Sequence, residues 1–244
     1  MTQDEIEEIA FKWTGKPSAR NVDTDTFMRA CVNGDIEFVS TALKHNKSLA
    51  NTREKNGFSA LMLTAERGHK DIVKLLVESG ADINAVNEDN CTLLMYAVDG
   101  NDLDIVKLLI DNNADLEIRS IDDKTALAYA ITLGHYEVAK LLAESGADVN
   151  AVVGGFFLLM QACAKGWANM AELLIKNGAN VNKSDISGRT SLMFACFTGN
   201  LEMVKLLVEN GASIARRSTY GETALAIATA KGFSEIAFYL QSKV

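Results

Sequence analysis

Apolar residues in this chain recur in pairs of short blocks. The first block reads Leu61-Met62-Leu63-Thr64-Ala65, then Leu94-Met95-Tyr96-Ala97-Val98, Leu127-Ala128-Tyr129-Ala130-Ile131 and, near the end, Leu225-Ala226-Ile227-Ala228-Thr229. The second reads Ile72-Val73-Lys74-Leu75-Leu76, Ile105-Val106-Lys107-Leu108-Leu109 and Met203-Val204-Lys205-Leu206-Leu207. Apolar positions at i, i+1, i+3 and i+4 form one wide helical stripe, with Lys and Glu left outside it. Each block predicts a helix of about three turns or fewer, too short to be stable alone. Ser59, Thr92, Thr125, Thr190 and Thr223 precede the first blocks, where a hydroxyl caps the free backbone N–H groups.

Glycine sets the period. One column falls at Gly34, Gly68, Asn101, Gly134, Gly166, Gly199 and Gly232, with spacings of 34, 33, 33, 32, 33 and 33 residues. A second reads Gly80, Asn113, Gly146, Gly178 and Gly211; a third reads Gly57, Asn90, Asp123, Gly155, Gly188 and Gly221. Asn and Asp are the next-best residues after Gly in the left-handed conformation, so these columns predict turns of positive φ. Short helices that each expose an apolar face bury it only by stacking on their neighbours, so the repeat predicts a solenoid.

This loop–helix–helix unit resembles the ankyrin repeat, whose first helix opens with a T-P-L-H-x-A motif. The chain offers Thr125-Ala126-Leu127-Ala128, Thr190-Ser191-Leu192-Met193 and Thr223-Ala224-Leu225-Ala226. The second half of the unit matches more closely, in Leu75 to Ala85 and in Leu141 to Ala151. The resemblance covers residues 26–241. It implies an all-α fold, an ankyrin-repeat solenoid of stacked helix pairs with short β-hairpin or finger loops. The motif's proline is missing from every repeat and its His is Met or Ala, a departure the columns do not explain. Only His69 and His135 keep the Gly-His pair.

About seven units can be drawn. Residues 26–53 form a degenerate first unit, 54–217 hold five full repeats, and 218–244 form a C-terminal capping repeat with a polar end. Residues 1–24 stand before the array as a capping helix and linker. Thr2 with Glu5 reads as a capping box, Ile6, Ile9, Ala10 and Trp13 share one face, and Gly15 and Pro17 end the helix.

Charge narrows the function. Lys and Arg number 24 against 32 Asp and Glu, a net charge of −8 that argues against general nucleic-acid binding. Cys31, Cys91, Cys163 and Cys196 are scattered and form no CxxC pair. The N-terminus is acidic, without the pattern of a signal peptide, and no apolar run is long enough to span a membrane. A cytoplasmic protein with reduced thiols, monomeric and independent of membranes, is expected. No catalytic, cofactor or metal constellation emerges. His45, His69 and His135 lack metal-ligand spacing, and His69 and His135 share one repeat position, which predicts structural hydrogen bonds. Cys31, Cys163 and Cys196 also share a position and are expected in the core.

The resemblance therefore implies a non-catalytic module that binds another protein, as adaptor, scaffold or inhibitor. The alternatives are an effector or enzyme-associated protein with an unrecognised activity and a purely structural spacer. In the resembled family, partners usually lie on the concave surface made by finger tips and first helices. Carried over by repeat position, the exposed apolar and arginine residues there are Ile121, Leu133, Val153, Phe156, Phe157, Ile186, Arg189, Phe197, Arg217 and Tyr220. The fourth repeat deviates most. It is a residue shorter, opens with Val152-Val153-Gly154-Gly155-Phe156-Phe157, and puts Phe157 at the N-cap. Phe156 is expected at the centre of the patch, free enough of the core that Phe156→Ser leaves stability nearly unchanged. Asn84 and Asn150 also resemble the finger asparagines hydroxylated in some eukaryotic ankyrin repeats; a role in the finger turn is the simpler expectation.

Overall fold

A computed structural model describes residues 22–243; the N-terminal helix expected to carry Thr2, Glu5 and Trp13 lies outside the described residues. Fourteen α-helices are seen among them. They fall into two compact units, which divide after Ile121.

The first unit contains α1 (Thr24–Asn33), α2 (Ile36–His45), a 3-10 turn (Lys47–Asn51), α3 (Ala60–Glu66), α4 (Lys70–Glu78), α5 (Leu93–Asp99) and α6 (Leu103–Asp111). Each odd helix packs on the even helix that follows it. First helices also pack on first helices, α1 on α3 and α3 on α5, while α2 packs on α4. The second unit repeats this arrangement with α7 (Ala126–Leu133), α8 (Tyr136–Glu144), α9 (Leu158–Lys165), α10 (Ala168–Lys176), α11 (Ser191–Thr198), α12 (Leu201–Glu209), α13 (Ala224–Ala230) and α14 (Ser234–Gln241). Among the described residues, α1 comes first, capped by Asp23.

The apolar stripes fill the core. Leu61, Leu76, Leu94 and Leu109 are buried in the first unit; Leu127, Ile131, Leu142, Leu158 and Leu159 are buried in the second. Each such side chain contributes roughly 1.5–3 kcal/mol of burial. The caps stand where the sequence puts them. Ser59 Oγ accepts from Met62 N at 3.2 Å, Thr125 Oγ1 from Ala128 N at 3.3 Å, and Thr223 Oγ1 from Ala226 N at 3.1 Å. Phe157 precedes α9 and makes no side-chain cap. The exceptions in the glycine columns follow the same rule as glycine: Asn90, Asn101, Asn113 and Asp123 have φ of 57°, 52°, 62° and 59°.

Two further columns hold the repeats to each other. In three repeats the residue after the anchor glycine, His69, Trp167 or Phe233, lays its ring against the anchor glycine of the preceding repeat. A Cβ at Gly34 would lie 2.7 Å from His69 Cε1, and one at Gly199 would lie 2.5 Å from Phe233 Cζ. The His69 ring also donates through Nε2 to the Val32 carbonyl at 3.0 Å, the structural role expected for it. Along the fingers, asparagine amides form a ladder. Asn51, Asn150 and Asn182 donate to the carbonyls of Gly80, Gly178 and Gly211 and accept from the N–H groups of Asp82, Asn180 and Ser213. Asn84 accepts from Asp115 N at 2.9 Å. Asn84 and Asn150 thus bridge successive fingers, which extends the turn role expected of them.

Candidate partner-binding surface

A finger needs an acceptor for the N–H groups inside its turn, and a side chain provides it. Asn87 Oδ1 accepts from Asp89 N and Cys91 N, and Ser218 Oγ accepts from Tyr220 N and Glu222 N. Asp185 does this most strongly: Oδ1 accepts from Ser187 N at 2.9 Å and Arg189 N at 2.8 Å. Its second oxygen accepts from Arg189 Nε at 2.8 Å and lies 2.7 Å from Arg189 Nη2. The carboxylate is 2% exposed, so it fixes both the finger and the guanidinium above it.

The fourth repeat solves the same problem differently. Having one residue fewer, it forms a two-residue hairpin, β1 (Val152–Val153) and β2 (Phe156–Phe157), paired Val152 with Phe157 and Val153 with Phe156. Gly154 and Gly155 form the turn at φ of 58° and 83°, the conformation that two-residue hairpins require. Val153 stands in the column of Asn87 and Asp185, where this turn needs no side-chain acceptor. The deviant sequence thus has a structural use.

The hairpin places Phe156 edge-on to Phe194 of α11, with ring centroids 5.8 Å apart. Arg189 stacks on both rings, its guanidinium carbon 5.6 Å from Phe156 and 5.0 Å from Phe194. Phe156 is therefore half-buried, not free of the fold, and Phe156→Ser removes packing as well as surface. Phe157 is also half-buried, with Lys183 5.6 Å from its ring centroid. Val153 is half-buried beside them. By contrast Ile186 is 94% exposed, Tyr220 78% and Phe197 56%, with Leu133 also exposed on α7. Arg217 donates to the Gly221 carbonyl at 2.9 Å and stays exposed. Ile121 closes the first unit, its N–H on the Asp89 carbonyl at 2.9 Å and its side chain exposed. Nine of the ten expected residues belong to the second unit.

Two contributors escape the sequence reading. Phe194 and Asp185 are visible only through the contacts they make with Arg189. Lys231 lies 3.9 Å over the Phe197 ring, beside a cleft of about 250 Å³ that Arg189, Phe194 and Glu222 also line. Phe238, on α14, is exposed as well but lies on a second helix. Charge differs between the two units. In residues 22–121, loops and first helices carry twelve Asp and Glu against six Lys and Arg; in 122–243 they carry five against eight.

The cysteines divide as their positions predict. Cys31, Cys163 and Cys196 are buried, and burial pushes the Cys31 and Cys196 thiols up to about 12 and raises that of Cys163. Only a thiolate attacks a disulfide reagent, so these three are protonated and shielded at neutral pH. Titration of the native protein with an aromatic disulfide reagent is expected to give one rapid equivalent, from the half-buried Cys91, and four after denaturation. A second rapid equivalent would contradict this.

A family model described as ankyrin repeats in three copies matches residues 15–87, 80–153 and 159–243. Human NAD-capped RNA hydrolase NUDT12 is 37% identical over 79 residues, which are 32% of this chain and 17% of that protein. Alpha-latrocrustotoxin-Lt1a of Latrodectus tredecimguttatus is 35% identical over 68 residues, 28% of this chain and 5% of the toxin. The chain thus matches less than a fifth of the length of these relatives. Among solved structures, the ankyrin repeat domain of Bcl-3, a member of the IkappaB protein family, matches with a TM-score of 0.77 and 28% identity, over 86% of this chain and 96% of that one. With matches running through almost every finger and helix pair described above, the chain belongs to the ankyrin-repeat family.

Proposed function

We propose that the chain is a non-catalytic module that binds a partner protein through the finger tips and first helices of its second unit. Ankyrin repeats generally mediate protein–protein interaction. The observation that carries the reading is the set of exposed apolar side chains at Ile186, Tyr220, Phe197 and Leu133. Phe197 shares a cleft with Arg189 and Phe194, and Asp185 fixes the guanidinium that stacks on Phe156 and Phe194. Aromatic and arginine side chains held rigid before binding lose little freedom on association, and such residues dominate interface energetics. The similarity to NUDT12 falls on the repeat region, so that protein's hydrolase activity gives no reason to expect an enzyme here. The module acts as an adaptor or an inhibitor of its partner, as a monomer in the cytoplasm, without nucleic acid or cofactor.

The double variant Ile186→Asp/Tyr220→Asp tests this. Exposed substitutions of this kind shift stability by about 0.5 kcal/mol or less each, so the melting temperature is expected to fall by no more than roughly 4 °C. Affinity capture from the native source is expected to recover a partner with the wild-type chain and to lose it with the variant. Equal recovery by both chains overturns the reading.

A further inference from the structure

The first unit holds a cavity of about 520 Å³ between α3 and α5, with walls that include Phe58, Leu63, Tyr96 and Ile105. Its volume is within the range of small-molecule and peptide-anchor sites. The rings of Phe58 and Tyr96 stand 5.6 Å apart at 43°, and Asn87 Nδ2 donates to the Tyr96 hydroxyl at 2.9 Å, which fixes the ring. Glu66 and Asp99 edge the same cavity from the two helices, both exposed. Asp102 also lines it, but Lys70 pairs with that carboxylate at 3.0 Å and Ile105 N donates to it at 3.2 Å. Glu66 and Asp99 have no cation within ion-pairing distance among the described residues. Lys and Arg are absent from the cavity wall.

Two rings and two carboxylates without counter-ions are complementary to one kind of side chain. We propose that this cavity docks an arginine-bearing segment of a partner protein, with the guanidinium between the aromatic pair and the carboxylates of Glu66 and Asp99. A guanidinium is planar, so it stacks on a ring while its edge donates in pairs to a carboxylate; an ammonium satisfies the charge but not the plane. The cavity is larger than one arginine side chain, and the apolar wall at Leu63 and Ile105 takes the residue beside it. The twelve-to-six excess of acids on the loops and first helices of this unit steers a basic segment toward it. The proposal rests on the protein-binding reading above but concerns a different unit from the Ile186–Tyr220 surface.

The test uses the full chain and three fluorescein-labelled peptides, Gly-Ser-rich 12-mers with a central Leu-Arg-Leu, Leu-Lys-Leu or Leu-Glu-Leu. Binding is read by fluorescence polarisation at 0.15 M salt. The Arg peptide is expected to bind saturably and at least threefold more tightly than the Lys peptide, with no binding by the Glu peptide. Glu66→Gln/Asp99→Asn is expected to weaken the Arg peptide at least tenfold. The control Glu78→Gln/Asp111→Asn removes the same charge from the second helices α4 and α6 and is expected to change binding less than twofold. Equal losses in the two double variants, equal affinity for Arg and Lys, or no saturable binding would each overturn the proposal. Circular dichroism checks that the isosteric amides leave the helices intact. Ile186→Asp/Tyr220→Asp is expected to keep full peptide affinity, so the two readings fail separately: loss of the peptide site leaves the capture result standing, and the reverse.

Discussion

Gly199→Ala is expected to destabilise the protein by about 2–4 kcal/mol, combining roughly 1–2 for an L-residue in the left-handed region with a similar cost for displacing a packed ring. The first part comes from φ, which is 74° at Gly199; the second comes from Phe233 Cζ, 2.5 Å from where the new Cβ would stand. For a chain of this size that is a fall in melting temperature of roughly 4–16 °C. Gly232 provides the comparison. Its φ is 79°, but a Cβ there meets nothing within 4 Å, so Gly232→Ala retains only the conformational part. Phe233→Ala should likewise relieve the packing cost, leaving Gly199→Ala in that background at about 1–2 kcal/mol. If Gly199→Ala and Gly232→Ala cost the same in chemical denaturation, the ring-on-glycine contact is not holding the repeats together.

Asp185→Ala is expected to cost about 2–4 kcal/mol, because two finger N–H groups lose their acceptor and a buried unpaired donor costs roughly 1–3 kcal/mol. Those donors are Ser187 N and Arg189 N. The lost ion pair adds less, since the Arg189 side chain is 39% exposed and water screens it. Asp185→Asn separates the two roles. Asn87 performs the same turn with an amide oxygen, so Asn at position 185 is expected to keep the finger and most of the stability. It releases Arg189 from its carboxylate, however, and with it the fixed stacking on Phe156 and Phe194. The expected signature is a melting temperature near wild type with partner capture clearly weakened. A variant that loses both equally, or neither, contradicts the separation.

What could be read in the sequence was whatever the backbone demands locally. Positive φ admits Gly, Asn and Asp, so Asn90, Asn101, Asn113 and Asp123 disclosed their conformation by residue type. A hydroxyl before an apolar block disclosed each cap, and its absence at Phe157 disclosed the uncapped α9. Contacts between repeats were far less visible, because a column can preserve a contact while changing its chemistry. His69 and Phe233 fill the same space over a preceding glycine and share no residue class. Phe156 misled for a related reason: a deletion that looked costly forms a hairpin whose ring packs on Phe194, a residue the repeat pattern assigns no special role.

The missing prolines acquire a partial explanation in the same way. The residue that would be proline donates its N–H across the finger base in two repeats, Ala60 to Thr52 at 2.9 Å and Leu158 to Ala151 at 3.3 Å. Proline has no N–H and would forfeit that bond, which offsets its advantage of a preset φ at the first helical turn. The acidic cavity at Glu66 and Asp99 was legible only as charge. Its partner-sized volume depends on how α3 and α5 pack, which no spacing records.

The central claim is that the fingers and first helices of the second unit bind the partner. Hydrogen exchange of the captured complex against the free chain tests it most directly. The account predicts protection at residues 152–157, 185–190 and 217–222 and along the exposed sides of α7, α9, α11 and α13, with α8, α10 and α12 unchanged. Protection confined to those second helices, with the fingers exchanging as in the free chain, would contradict it.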